Sequence, residues 1–79
     1  PSFKFEAFPN PSQQYFQLQT DCTQPIEAQL FSSQGVLQRR FEQLMPPYQI
    51  STEGLAAGHY VLEIHCQNQR HVVPVVLIR

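Results

Sequence analysis

The sequence predicts an all-β protein, an immunoglobulin-like antiparallel β-sandwich of about seven strands. Three observations lead there. Apolar and polar residues alternate over short runs, which is the period of a half-buried strand. Prolines at positions 1, 9, 11, 25, 46, 47 and 74 cut the chain before any helix gains length. Turn residues recur at the roughly eight-to-twelve-residue spacing of sandwich strands. A lone sheet would leave one face wet and could not enclose the aromatics.

The elements follow in order. FKFEAF, residues 3–8, puts Phe3, Phe5 and Ala7 on one face. It stops at Pro9-Asn10-Pro11, which suits neither a helix nor a central strand. Asn10 there is turn chemistry, able to hydrogen-bond its own loop. YFQLQ, 15–19, turns Phe16 and Leu18 inward, and Asp21 to Pro25 is a turn. IEAQLF, 26–31, turns Ile26, Ala28 and Leu30 inward. Ser32-Ser33-Gln34-Gly35 reads as a tight hairpin with glycine at its end. VLQRRF, 36–41, has the faintest pattern, with Arg39 and Arg40 as a solvated pair. Met45-Pro46-Pro47 breaks the chain, and YQIS, 48–51, is a short fifth strand. HYVLEIHC, 59–66, turns Tyr60, Leu62, Ile64 and Cys66 to one side. HVVPVVLI, 71–78, closes the chain after a 67–70 turn.

The totals bound the function. Seventy-nine residues make a single domain, 1–79, with a modest core. A chain of this size buries only a little over ~60% of its unfolded surface. Apolar residues, at 42%, are too many for a disordered tail. A net charge of −1 supplies nothing to neutralise a row of phosphates, so nucleic acid is excluded as a partner. No apolar run approaches the ~18 residues of a membrane helix. The chain opens on Pro1, not on an initiator Met, so it is expected to be a fragment of something longer.

Catalytic and metal chemistry find little support. His59 and His65 are six positions apart on one strand, hence about 20 Å, and cannot share an ion. Glu63 with His65 gives two ligands, which do not close a zinc site. No G-x-S-x-G elbow is present. The expectation is no enzyme, no catalytic residue, no metal and no cofactor.

The stretch GLAAGHY, 54–60, reads as a corner. Immunoglobulin-like sandwiches often place a tyrosine at the start of the sixth strand, its hydroxyl bonded to the backbone just upstream. Tyr60 takes that place, Gly58 allows the tight turn without a Cβ clash, and Leu55 plugs the corner.

GLAAGHYVLEI also resembles the LDLSGLPAGxYxxxV block of the C-terminal sorting domains of the type IX secretion system. FPNPSQQYFQL, holding Pro9, Asn10 and Pro11, resembles that family's YPNP opening. IEAQLFSSQGVL, with Gly35, resembles its LYDxxGRxV block, with Ser32-Ser33 where an Asp-containing turn is usual. HVVPVVLIR resembles its closing strand, although Pro74 and the scarcity of lysine depart from it. The blocks run in order over residues 8–79.

The resemblance implies a C-terminal secretion signal. It would direct an upstream cargo in the same chain through the periplasm and across the outer membrane, to the surface or the extracellular space. Its partners would be the outer-membrane translocon and a sortase-like signal peptidase that often removes the module and leaves the cargo anchored. Recognition would fall on the last strand: Val72, Val73, Val75, Val76, Leu77, Ile78 and Arg79. A monomer and a strand-swapped dimer both stay open. The alternative is an accessory immunoglobulin- or fibronectin-like interaction module, or a carbohydrate-binding one. A carbohydrate binder should show a platform of exposed aromatics, whereas the aromatics here mostly fall inward and tryptophan is absent.

Two expectations concern the end of the chain. A four-residue 67–70 turn would set Cys66 opposite His71, Ile64 opposite Val73, Leu62 opposite Val75 and Tyr60 opposite Leu77. Outside, Val72, Pro74, Val76 and Ile78 would then lie beside His65, Glu63, Val61 and His59, making the last strand apolar on both faces, with Pro74 costing one ladder donor. Antiparallel pairing of the third strand with the sixth would bring Cys22 to the same end as Cys66. A Cys22–Cys66 disulfide is therefore expected in an exported protein, against the alternative of two buried free thiols.

Overall fold

The computed structural model describes residues 3–8 and 14–78. Pro9, Asn10, Pro11 and Arg79 lie outside these residues. Seven strands form: β1 (Phe5–Phe8), β2 (Tyr15–Thr20), β3 (Ile26–Ser32), β4 (Leu37–Leu44), β5 (Tyr48–Ser51), β6 (Gly58–Cys66) and β7 (Gln69–Leu77). They make two antiparallel sheets, β1-β2-β5 and β4-β3-β6-β7. The chain changes sheet between β2 and β3, between β4 and β5, and between β5 and β6. It is a seven-stranded sandwich.

Alternation positions the core. Phe16, Leu18, Tyr48 and Ile50 come from the smaller sheet. Ile26, Ala28, Leu30, Tyr60, Leu62, Ile64, Cys66, Val75 and Leu77 come from the larger one. All are buried, and Phe3, Phe5 and Ala7 pack partly against them. Every inward position expected on β2, β3 and β6 is a core residue.

β4 runs three residues beyond its expected end at Phe41. A bulge explains this. Ile26 pairs with Leu44 but Ala28 pairs with Phe41, so one position of β3 faces two of β4. Gln43 takes a positive φ of 53° there. Phe41 and Leu44 both pack on the core although three positions separate them, and that spacing hides a strand from a period-two search. Arg39 also differs from expectation. It is half-buried, and its guanidinium donates to the Glu53 carbonyl, tying β4 to the loop after β5. Arg40 is solvated and pairs with exposed Glu42 at 3.2 Å, a contact worth little.

The β3–β4 hairpin turns at Ser32 to Val36. The Gly35 amide donates to the Ser32 carbonyl at 2.9 Å, with Gly35 at φ 83°. The Ser32 hydroxyl accepts from the Gln34 and Val36 amides at 3.3 and 3.2 Å. A serine here does what an aspartate carboxylate does in such turns.

The last hairpin corrects the expected register. Cys66 pairs with Gln69, Ile64 with His71, Leu62 with Val73, Tyr60 with Val75 and Gly58 with Leu77. The loop is Gln67-Asn68 alone, with Gln67 at φ 57°, a positive value that two-residue hairpins favour at this place. The slip is two residues, so every side chain keeps its expected face. Pro74 is also corrected. The pair closing a two-residue loop is hydrogen-bonded and pairs alternate from it, so Pro74 opposite Val61 falls at a non-bonded position. Its missing donor points away from β6 and no β6–β7 bond is lost.

Two tyrosines fix two of the three crossings, those between β5 and β6 and between β2 and β3. The Tyr60 hydroxyl donates to the Ala56 carbonyl at 2.6 Å, and Leu55 packs partly on the core. Gly58 has φ 151°, and beyond its own and its adjoining residues no atom lies within 4 Å of where its Cβ would sit. The clash it avoids is with its own backbone, not with a packed neighbour. At the other crossing the Tyr48 hydroxyl faces the Cys22 and Gln24 carbonyls at 3.1 and 2.5 Å. The sulfurs of Cys22 and Cys66 are bonded, with a Cα separation of 6.8 Å. Their sequence separation of 44 corresponds to about 4 kcal/mol in the chain-entropy account of cross-linking.

Tyr48→Phe removes the one O–H that the Cys22 and Gln24 carbonyls share at this corner, and the expected loss is about 1–3 kcal/mol in urea unfolding at neutral pH. Burial raises the Tyr48 pKa. The neutral hydroxyl is favoured in the fold, so its contribution is full below the free-tyrosine value of about 10 and falls as pH rises through the higher folded value. Urea midpoints measured across the alkaline range should fall less steeply for the phenylalanine variant than for wild type.

Candidate recognition surface

β7 is the strand on which sequence reasoning placed recognition, and the structure divides its residues by face. Val75 and Leu77 are 1% exposed, and Val73 packs partly on the core. With the sandwich closed, none of the three is a contact residue on the outer face. The outward set is Val72, Pro74, Val76 and Ile78. Val72 is 51% and Ile78 41% exposed. Arg79 lies outside the described residues.

The register extends this set across the sheet. Pro74 stands opposite Val61, Val61 opposite Phe31, and Phe31 opposite Leu37. That row crosses all four strands and is apolar throughout. A shift in β4 between the Leu30 and Phe31 levels brings Leu37 into line. Val76 sits opposite His59 beyond the row, and exposed Val36 follows at the β3–β4 hairpin. Sequence reasoning found the β7 part and Val61 through two-sided hydrophobicity. It missed Phe31 and Leu37, because their membership depends on which strands become neighbours.

The other end of the same face is charged. The next row runs Arg40, Gln29, Glu63 and Val72, and beyond it Glu27, His65 and Arg70 align. Glu63 organises this end. Its Oε1 accepts from His65 Nε2 at 2.7 Å and its Oε2 lies 3.1 Å from Arg70 Nη2. The outer face of the larger sheet is thus apolar toward the Tyr60 corner and the β3–β4 hairpin, and ionic toward the Gln67-Asn68 loop.

The remaining sequence-predicted residues serve the frame. Gly35, Leu55, Gly58 and Tyr60 build one turn and one corner at the apolar end. Cys22 and Cys66 lie together at the ionic end, beside the β6–β7 hairpin. The outer face of the smaller sheet is mainly amide-bearing, with exposed Phe8 and Tyr15 as its aromatics.

The hydrogen bond from His65, then that from Arg70, holds the Glu63 carboxyl below the usual carboxylate range. A depressed folded value means the Glu63 contribution is full above the unfolded carboxylate pKa and is lost as pH falls through the folded one. Glu63→Gln should therefore melt lower than wild type near neutrality, with the gap closing in acid. Thermal melts of both proteins down the acid range measure this.

The model of the secretion system C-terminal sorting domain matches residues 6–78. No curated protein matches the chain. A match over nearly all of a chain that folds as this sandwich settles the family: the chain belongs to the C-terminal sorting domains of the type IX secretion system.

Proposed function

We propose that this sandwich is read as a folded address by the outer-membrane type IX translocon, through the apolar end of the outer face of its larger sheet. The family is one of sorting signals, not of catalysts, and implies a cargo in the same chain and export to the cell surface or beyond. On this reading the upstream cargo crosses the outer membrane with the module attached. A sortase-like peptidase then removes the module and leaves the cargo anchored at the surface.

One observation carries the reading. Among the described residues β7 ends the strand order of the larger sheet, yet its outward residues are apolar and continue into Val61, Phe31 and Leu37. A solvated face does not need such a row, and contiguous exposed apolar surface marks interaction sites. The ionic cluster around Glu63 gives the same face a polar end that sets orientation.

Deleting β7 would be a poor test, because Val75 and Leu77 belong to the core. Outward substitutions keep the fold. Residues 1–79 fused behind a periplasmic reporter, in a host with this secretion system, should carry the reporter to the surface or medium. Leu37→Lys with Ile78→Lys alters exposed positions at the apolar end, where stability changes within about 0.5 kcal/mol are usual. Export of that fusion should fall severely while its melting temperature holds. Normal export would move recognition off this face, and retention of the unmodified fusion in the periplasm would defeat the sorting role for this chain.

A further inference from the structure

Two hydrogen bonds hold the start of the described chain against the sandwich. The Phe3 amide donates to Gln69 Oε1 at 3.1 Å, and the Lys4 amide donates to Asp21 Oδ1 at 2.9 Å. Both acceptors are tied to the disulfide. Gln69 stands opposite Cys66 as the closing pair of the β6–β7 hairpin. Asp21 is covalently next to Cys22. Cys22 and Cys66 are bonded to each other.

The two acceptors belong to different sheets. Asp21 follows β2 of the smaller sheet, and Gln69 opens β7 of the larger one. Phe3 and Lys4 therefore span the seam between the sheets at the ionic end, and the bridge spans the same seam. Cys22 is held on both sides as well. Its amide donates to Thr20 Oγ1 at 3.0 Å, and its carbonyl accepts from Tyr48. Phe5, the first residue of β1, adds a ring contact to His71 of β7 at 4.7 Å between centroids. The segment through which an upstream cargo joins this module is thus seated across the seam that the disulfide bridges.

We infer that the Cys22–Cys66 disulfide is a covalent latch on the cargo junction, released when the bridge is reduced. Closed, it keeps the Asp21 and Gln69 acceptors at the spacing that the Lys4 and Phe3 amides require. Opened, it lets the acceptors separate and residues 3–4 leave the surface, while β3 and β6 stay joined by their own ladder. The opening step is thiol–disulfide exchange with a dithiol reductant. Both cysteines are buried, so a reductant thiolate reaches a sulfur only when the Cys22 turn opens; its attack then breaks the S–S bond and forms a mixed disulfide. The second reductant thiol displaces it, leaving two cysteine thiols and the reductant as its own disulfide, a two-electron exchange. The word cargo here rests on the sorting-signal reading, whereas the latch stands on geometry alone.

Amide hydrogen exchange by NMR on the 79-residue chain tests it. The oxidised chain is compared with the chain in dithiothreitol, both cold and in trimethylamine N-oxide, which favours the compact state. Reduction should speed exchange at the Phe3 and Lys4 amides by about tenfold or more, while the β3 and β6 ladder amides stay protected. Unchanged Phe3 and Lys4 exchange in a reduced, folded chain overturns the inference. Loss of protection throughout overturns it too, since the bridge would then be acting on the whole fold. With the bridge closed, Asp21→Ala should release Lys4 alone and Gln69→Leu should release Phe3 alone. If neither amide responds, those acceptors do not hold the junction and the latch fails. Exchange is blind to export, so a latch that responds in a chain that does not export separates this inference from the sorting role.

Discussion

The burial of one face of β6 against the smaller sheet is the constraint on which the rest of the molecule depends. Tyr60, Leu62, Ile64 and Cys66 leave water together, and β3 and β7 pair on either side of them. Because successive side chains alternate, fixing those four inward also fixes what points out. Val61 and Glu63 face outward as a direct consequence, one in the apolar row and one at the centre of the ionic cluster. The face proposed for recognition is therefore the reverse side of the core, and neither can shift without the other.

A small sandwich has little apolar surface with which to hold its crossings, and this one fixes them with specific bonds. The Tyr60 hydroxyl holds the corner into β6, and the Tyr48 hydroxyl faces the turn out of β2. The disulfide joins that turn to the end of β6. Immunoglobulin domains place a bridge between the equivalent strands in the middle of the sandwich. Here it lies at one end, where it leaves the interior to aliphatic and aromatic packing and takes charge of the seam by which the chain arrives. The two proposed roles divide along the same axis. The chain arrives at the ionic end, and the apolar end carries the surface assigned to recognition.

Legibility followed the range of the interaction. Strand positions and faces were readable at β2, β3 and β6, where alternation is regular and buried residues sit two apart. β4 was the exception, because the positive φ at Gln43 sets Phe41 and Leu44 three apart on one side. The hairpin after β6 was misread because Gln67-Asn68 carries no glycine, so nothing local marks a two-residue loop. Of the recognition surface, the β7 positions were visible as a strand apolar on both faces. Phe31 and Leu37 were not, since nothing in their own segments distinguishes a solvent-facing apolar side chain from one covered by a neighbour.

The sequence by itself determined the class of structure, the side to which most residues point and the family, because a two-residue period and short ordered motifs are local properties of the chain. The tertiary structure alone decided the register of the last hairpin, the crossing of Arg39 to Glu53, the apolar row over four strands and the clasp on Phe3 and Lys4. Each of these joins residues far apart in sequence. Such distances become short only after the two sheets have closed on one core, and a linear pattern carries no measure of them.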